Sequence, residues 1–269
     1  MTQPQDQPVP TYQTIVLQRS GRLLTITLNR PEALNSVNLA MHEELAAVFA
    51  FAVADQHSDV VLLTGAGRAF SAGGDAQHMA HNAAHPELFD EEVRLAKRIV
   101  FAMLDLDKPL ICRLNGHAVG LGATLALFCD VIFAADSAKI GDPHVAIGLV
   151  AGDGGAAIWA QRVGLGRAKE YLMTGELLSA KKAEEIGLVN HCVPVAELDA
   201  AVNAFCERLL GGATRAIRWT KLLTNLELKR VSHALMDAGL AYESLSVRSA
   251  DHREAVQALL DKRKPVFKP

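Results

Sequence analysis

A chain of 269 residues, half of them apolar, can bury a full core in one large domain or in a domain with an appendage. The formal net charge of −3, without a basic run that carries interleaved aromatics, argues against nucleic acid binding. No apolar stretch is long enough to span a bilayer, and the four cysteines are too scattered for a disulfide framework or metal-ligand pair. We therefore expect a cytoplasmic protein in a reducing compartment, without a membrane or metal partner.

Predicted strands and helices alternate in the first part of the chain. The Gln- and Pro-rich positions 1–11 are expected to form a disordered tail. After it we predict a strand hairpin at 14–18 and 23–28, a helix at 39–53, a buried strand at 60–64 and a helix at 93–106, with loops at 29–36 and 65–74. The polar segment 76–92 is expected to be mobile and to set the width of a pocket. This alternation is typical of an α/β layered domain.

The central stretch, 110–133, is an apolar strand, a glycine-bearing turn and the start of an apolar helix. The first N–H groups of a helix have no internal acceptor and lie at the positive end of the helix dipole. Gly120 and Gly122 allow the backbone to come close to a bound group. The turn is therefore predicted to stabilise a developing negative charge, as an oxyanion hole does.

The pattern repeats beyond the central stretch. Strands are predicted at 131–134 and 139–141, followed by a short helix with Asp142 as its N-cap and Pro143 at its first position. A glycine-rich loop at 148–155 precedes helices at 156–163, 166–173 and 180–186. From 196 on, the chain is nearly all helical. Such a tail often packs on another subunit, so we expect an oligomer; a self-packed helical cap is the alternative.

Other motifs are incomplete. A dinucleotide fingerprint starting at Gly120 would need its third glycine at Leu125, and the sequence has no P-loop. Ser71 lacks the first glycine of a nucleophile elbow, and none of the ten histidines forms a HExxH pair. The sequence therefore gives no support for NAD or metal chemistry.

Three segments together resemble the crotonase (enoyl-CoA hydratase/isomerase) superfamily. They are Leu28-Asn-Arg-Pro-Glu-Ala-Leu-Asn35, Ala69-Phe-Ser-Ala-Gly-Gly-Asp75, and Asn115-Gly-His-Ala-Val-Gly-Leu-Gly122 with the following Cys129-Asp130. Weaker matches lie at 172–176, 183–189 and 262–267, so the likeness extends from about Tyr12 to the C-terminus. The resemblance implies a spiral of repeated ββα units at 12–195. It also implies a C-terminal all-helical trimerisation region at 196–269, which builds homotrimers or dimers of trimers.

The resemblance also implies an acyl-CoA substrate and no separate cofactor, because coenzyme A enters as part of the substrate. At the matching positions, the backbone N–H groups of Gly74 and Leu121 would polarise the thioester carbonyl. The residues implied in contacts with CoA are Ala33, Leu34, Asn35, Ala72, Gly73, Gly74, Lys264 and Phe267.

The sequence departs from the familiar hydratase pattern at two positions. That mechanism uses two glutamates, and the matching residues here are Thr124 and His144. A threonine hydroxyl cannot act as a base near neutral pH, whereas an imidazole can. We therefore expect ordinary hydration of short enoyl-CoA substrates to be weak.

Asp153 and Glu243 are further candidate catalytic residues. A carboxylate beside an imidazole fixes its tautomer and raises its basicity, so His144 is predicted to be a general base oriented by Asp153. Asp153 could instead cap the helix that follows it. The His144–Asp153 combination is similar to an oxocamphor-hydrolase-like branch, whose members cleave carbon–carbon bonds of β-diketones. Such a hydrolase, or a non-catalytic acyl-CoA-binding subunit, remains an alternative to an enoyl-CoA hydratase/isomerase-family enzyme.

Overall fold

The computed structural model describes residues 9–267, apart from the side chain at position 91. The predicted tail therefore lies mostly outside the described residues, since positions 1–8 are not among them. In chain order, the described strands are β1 (Ile15–Ser20), β2 (Leu23–Leu28), β3 (Val60–Gly65), β4 (Ala69–Ser71), β5 (Leu110–Leu114), β6 (His117–Val119), β7 (Val131–Ala135), β8 (Lys139–Gly141), β9 (Leu178–Ser179) and β10 (His191–Val193).

Helices follow most of these strands. The described α-helices are α1 (Leu39–Ala54), α2 (Ala76–Ala84), α3 (Pro86–Asp105), α4 (Leu121–Leu127), α5 (Gly155–Thr174), α6 (Ala180–Glu185), α7 (Leu198–Leu210), α8 (Thr214–Val247) and α9 (Ala250–Leu260). The two helices predicted at 156–163 and 166–173 correspond to α5, which is interrupted at Gly164, where φ is +79°. No helix within residues 9–267 combines the length and the apolar character that a membrane span requires.

The strands form two sheets. The larger has the order β1-β2-β3-β5-β7-β10 and the smaller β4-β6-β8-β9. The predicted hairpin is the antiparallel pair β1–β2, while β2, β3, β5, β7 and β10 pair in parallel. All six residues of β3 are buried, as expected for a strand of a parallel sheet with both faces covered.

From β3 onward the chain visits the two sheets in turn. The strand pairs β3–β4, β5–β6 and β7–β8 each place one strand in the larger sheet and the next in the smaller, and a helix follows each pair. This is the ββα repeat that the resemblance implies, and it confirms the α/β fold class. The strands β4, β6 and β8 are parallel neighbours, so their C-terminal ends lie at one edge of the smaller sheet.

Three segments contain more regular structure than the sequence predicts. Strand β4 lies inside a predicted loop and β6 inside the predicted glycine-bearing turn, because three-residue strands are too short to show an alternating pattern. The segment expected to be mobile folds as α2 and the start of α3. Asp75 caps α2 by accepting hydrogen bonds from the backbone N–H groups of Gln77 (3.1 Å) and His78 (3.3 Å).

The C-terminal region is nearly all helical, as predicted. Helix α8 packs on α3 and α5 of the same chain, and α9 packs on α2. The contact between α9 and α2 places the end of the chain beside the loop that follows β4, where the candidate site lies.

Candidate active site

Three loops meet at the C-terminal edge of the smaller sheet. Gly74 follows β4, Leu121 follows β6 and His144 follows β8, each within three residues of the end of its strand. Because these strands are parallel neighbours, the three residues are brought to one edge, where ligands bind in open α/β sheets.

A cavity of about 490 Å³ opens at this edge, within the usual size range of ligand pockets. Eight of the residues predicted from the sequence line it: Ala33, Ala72, Gly73, Gly74, Leu121, His144, Asp153 and Glu243. Leu259 of α9 contributes to the wall, so the C-terminal region also takes part in the cavity.

Two backbone N–H groups in the cavity wall lack internal acceptors. Helix α4 begins at Leu121, directly after Gly120, whose own N–H donates to the carbonyl of Gly141 (3.0 Å). In the loop after β4, Val37 pairs with the residues on both sides of Gly74: its N–H donates to Gly73 O (2.7 Å) and its carbonyl accepts from Asp75 N (3.0 Å). Across residues 9–267, the N–H groups of Gly74 and Leu121 donate to no protein acceptor.

The two loops contact each other closely. Gly73 has a φ of +85°, and a Cβ atom at this position would lie 2.7 Å from the carbonyl oxygen of Val119. Gly120 also has a positive φ, +53°, which a residue with a side chain adopts with difficulty. The two glycines thus allow the loops after β4 and β6 to approach each other where Gly74 and Leu121 line the cavity.

The partner of His144 differs from the prediction. Asp142, not Asp153, hydrogen-bonds the imidazole, through Oδ1 and Nδ1. Asp142 is also not the expected N-cap of an α-helix; a 3-10 helix spans His144–Ile147, and Pro143 is its N-cap residue. The Asp142 carboxylate folds back over Pro143, because its Oδ1 also accepts from the backbone N–H of His144 (3.4 Å), two residues later. The spacing Asp142-Pro-His144 was the available sequence signal for this pair.

Asp153 lies on the other side of the imidazole. Its Oδ2 is 3.9 Å from His144 Nε2, beyond hydrogen-bond distance, and has no hydrogen-bond partner among the described residues. Its Oδ1 accepts from Thr124 Oγ1 (3.2 Å) and from the backbone N–H of Gly155 (3.1 Å). Asp153 is not the N-cap that the sequence offered as the alternative role, because Gly154 is the N-cap residue of α5; the bond to Gly155 pairs the first N–H of that helix from one residue further out. Thr124, a predicted catalytic position, is fully buried and contacts Asp153 rather than the cavity.

Glu243 reaches the cavity from α8. Its side chain is buried, and its Oε2 has no hydrogen-bond partner within the described part of the chain. Burial, together with the negative charge of Asp153, raises the pKa of Glu243 to about 8. Glu243 is therefore mainly uncharged at neutral pH. This limits the number of negative charges that the site must hold.

The charge of His144 is set by its two carboxylate neighbours. Burial by itself would lower the pKa of His144, but Asp142 and Asp153 raise it to about 10. Burial also raises the pKa of Asp153. The imidazole is therefore cationic at neutral pH, which does not fit the predicted role of a free base. Asp142, His144 and Asp153 also bring possible metal-ligand atoms within 4.8 Å of one another, although the hydrogen bond between His144 and Asp142 already uses two of them.

Four of the residues implied in CoA contacts do not line the cavity, and two of them, Leu34 and Asn35, lie in the loop after β2. The side chain of Asn35 is fully buried, and its Nδ2 donates to the carbonyls of Ala66 (2.8 Å) and Ala69 (2.9 Å). Its Oδ1 accepts from Arg30 N (2.9 Å). Since every polar atom of the amide is paired inside the protein, Asn35 joins the two loops and cannot offer its side chain to a ligand.

The basic segment at the C-terminal end lies at the surface. Lys264 and Phe267 are exposed and do not line the cavity. Arg263 forms a two-point ion pair with Glu254, so its charge is largely neutralised.

The unusual charge of His144 can be measured directly. Substitution Asp142→Asn removes one neighbouring carboxylate and should lower the pKa of His144 by roughly 1–3 units. The measurement is the pH titration of the histidine ring signals by NMR, with His144 assigned from the signal lost in His144→Gln. Asp136→Asn, at an exposed position, is the matched control and should change nothing. Titration of His144 near pH 6.5 in the unsubstituted protein would contradict this description.

The pH dependence of stability follows from the same pKa values. A histidine whose pKa is raised on folding contributes stability that is fully present below the unfolded pKa, near 6.5, and is lost as the pH rises through about 10. The raised pKa of Glu243 also contributes stability that is present below the unfolded pKa of a glutamate and is lost as the pH rises through about 8.

The comparisons with known proteins agree on one family. The sequence profile of the enoyl-CoA hydratase/isomerase family matches residues 18–269. The chain is 36% identical over 247 residues to 1,2-epoxyphenylacetyl-CoA isomerase of Escherichia coli, which covers 91% of this chain and 94% of that protein. It is 32% identical over 261 residues to 2,3-dehydroadipyl-CoA hydratase of the same species, covering 94% and 98%.

A solved structure gives the same result. An enoyl-CoA hydratase/isomerase from Mycobacterium paratuberculosis superimposes with a TM-score of 0.87 at 38% identity, over 91% of this chain and 97% of that one. The likeness therefore covers nearly the whole chain in both sequence and fold, including the segments that carry the resemblance. The protein belongs to the enoyl-CoA hydratase/isomerase family of enzymes, with the crotonase-like fold.

Proposed function

We propose that the protein binds an acyl-CoA thioester and stabilises its enolate with the backbone N–H groups of Gly74 and Leu121. The observation that carries the proposal is that both donors lack internal acceptors and line one cavity. Donors fixed in advance stabilise the developing negative charge without having to reorganise. The relatives named above act on CoA thioesters, which favours a thioester over a free β-diketone as the substrate.

In this proposal His144 and Asp153 transfer the proton. Because His144 is cationic at neutral pH, it serves as a proton donor and stabilises the enolate, instead of acting as the general base that the sequence suggests. Asp142 holds the ring through Nδ1. Asp153 is assigned the role of proton acceptor, since the residue lines the cavity, its Oδ2 has no hydrogen-bond partner among the described residues, and burial raises its pKa.

Proton transfer at the α-carbon is proposed to be faster than hydration. Hydration in the familiar mechanism needs two glutamates around one water, and those positions here are Thr124 and His144. Thr124 is fully buried and bonded to Asp153, so it does not offer a group to water in the cavity. A double-bond isomerisation needs only removal of a proton from the α-carbon by Asp153 and delivery of a proton to the γ-carbon by His144, after which transfer of the proton from Asp153 to His144 restores both groups.

Deuterium exchange tests the proposed reaction. With trans-3-hexenoyl-CoA in D2O, we expect isomerisation to the 2-enoyl product with deuterium incorporated, at a rate well above that of crotonyl-CoA hydration. His144→Gln and Asp153→Asn should each lower the rate by roughly 10²–10⁴-fold. His117→Gln, at an exposed histidine of β6, is the control and should retain the rate.

Two results would contradict the proposed reaction. Fast hydration of crotonyl-CoA that survives His144→Ala would rule out the assigned acid/base pair. Binding of thioesters without exchange or turnover of any of them would favour the non-catalytic acyl-CoA-binding subunit.

The exposed C-terminal segment is proposed to bind the nucleotide end of CoA. Lys264 is exposed and is the cation assigned to the phosphates, since neighbouring Arg263 is paired with Glu254. Phe267 is 44% exposed and offers a flat apolar surface beside it.

We also propose that residues 196–269 are the trimerisation region. Three large apolar residues with helical spacing are strongly exposed on α8: Trp219 (60%), Leu223 (69%) and Leu226 (62%). Their spacing of four and then three residues places them on one face of the helix. An apolar stripe of this kind favours burial against another copy of the chain, in a homotrimer or a dimer of trimers.

The oligomer can be tested by sedimentation velocity. The unsubstituted protein should sediment as a trimer or hexamer, and Leu223→Glu should shift it toward the monomer by placing a charge in the apolar stripe. Leu165→Glu, at an equally exposed leucine of α5, is the matched control and should not change the sedimentation coefficient. A monomeric unsubstituted protein would show that the helices form a self-packed cap.

A further inference from the structure

A second group of polar side chains lies in the wall of the same cavity, away from His144. We call it the α1–α3 cluster: His42 from α1, His78 and Asn82 from α2, and Glu92 from α3, all of which line the cavity. Asn82 is 4% exposed and Glu92 is 7% exposed. Nothing in the proposed proton transfer uses these residues, so their presence in the cavity wall requires another explanation.

Part of the cluster is internally satisfied. Glu92 pairs with His78 Nε2 (2.8 Å from Oε1) and accepts a hydrogen bond from Asn82 Nδ2 (3.0 Å to Oε2). The cluster therefore has a fixed arrangement, in which the amide of Asn82 is oriented by its bond to Glu92.

Two atoms of the cluster remain unsatisfied. Asn82 Oδ1 and His42 Nε2 are both buried, and neither has a hydrogen-bond partner among residues 9–267. Buried polar atoms without a partner are costly and rare in folded proteins. Both belong to residues of the cavity wall, where a bound group could supply the missing hydrogen bonds.

The charges of the cluster indicate what kind of group fits. The hydrogen bond to Glu92 raises the pKa of His78. Burial lowers the pKa of His42 to about 4, which leaves this imidazole neutral. The carboxylate of Glu92 would repel a second carboxylate, and Asn82 Oδ1 can only accept a hydrogen bond. A neutral donor such as a hydroxyl satisfies these requirements.

We propose that the α1–α3 cluster is a specificity subsite that binds a hydroxyl group on the acyl chain of the substrate. The hydroxyl donates a hydrogen bond to Asn82 Oδ1, and its oxygen accepts a hydrogen bond from Nε2 of His42. This inference rests on the proposed function, because it takes the occupant of the cavity to be an acyl-CoA thioester. Helix α2 begins at Ala76, two residues after Gly74, which is the proposed donor to the thioester carbonyl. At a rise of about 1.5 Å per residue, Asn82 lies about 9 Å further along the helix, so the hydroxyl belongs several carbons beyond that carbonyl.

Binding of saturated thioesters tests the subsite without requiring turnover. The probes are octanoyl-CoA, its 4-, 6- and 8-hydroxy derivatives and the ω-carboxy derivative, each measured by titration calorimetry. We expect at least one hydroxy derivative to bind more tightly than octanoyl-CoA, and the ω-carboxy derivative to bind more weakly than that isomer. His42→Phe and Asn82→Leu should each weaken the preferred hydroxy derivative by about 5–10-fold while leaving octanoyl-CoA little changed.

Two controls separate specificity from folding. His81→Phe changes an exposed histidine of α2 and should not alter the preference. His42→Phe leaves the partners of Glu92 in place, so it tests the subsite even if Asn82→Leu lowers the melting temperature.

The outcomes distinguish this inference from the proposed function. If octanoyl-CoA binds but no hydroxy derivative is preferred, or if the variants weaken both ligands alike, the subsite is wrong and the proposed function stands. If none of the thioesters binds, both are wrong. A hydroxyl preference that depends on His42 and Asn82, without deuterium exchange of trans-3-hexenoyl-CoA, would support the subsite and reject the proposed chemistry.

Discussion

The close contact between the loops after β4 and β6 is the constraint on which the candidate site depends. Gly73 lies against the carbonyl of Val119 at a distance that leaves no room for a side chain, and Gly120 turns the chain into α4 with a positive φ. This contact brings two backbone donors, from Gly74 and Leu121, to one cavity. Each loop starts at the end of a short parallel strand, so the sheet fixes the position of both donors.

The loop after β8 adds a charged residue, His144, to this arrangement. His144 lies between Asp142 and Asp153, and these carboxylates keep the imidazole protonated although it is buried. In the proposed reaction, a cation at this place would favour a negative charge on a bound carbonyl oxygen, as the two N–H groups would. The uncharged state of Glu243 suits the same proposal, because another carboxylate charge would oppose an enolate.

The sequence predicted the fold class and the main elements, because the long helices and the strands of the larger sheet have clear apolar periodicity. It did not reveal β4 or β6, whose three residues are too few to form a pattern. The segments with Gly74 and Leu121 were therefore predicted without the strands that position them. Asp153 and Glu243, candidate residues from the sequence, line the same cavity as His144. The hydrogen bond between the imidazole of His144 and the carboxylate of Asp142 was missed because a residue before a proline at a helix start is usually read as a cap. The α1–α3 cluster joins residues from three helices, and only tertiary packing brings them together.

The central claim is that two backbone N–H groups polarise one thioester carbonyl, and vibrational spectroscopy of a bound ligand tests it most directly. The ligand is an acyl-CoA thioester labelled with ¹³C at the carbonyl, and the measurement is its infrared stretching frequency when bound to the protein. If Gly74 and Leu121 donate to the carbonyl, the frequency will be lower in the complex than in water. A frequency equal to or above that of the free thioester would show that the two amides do not act on the carbonyl.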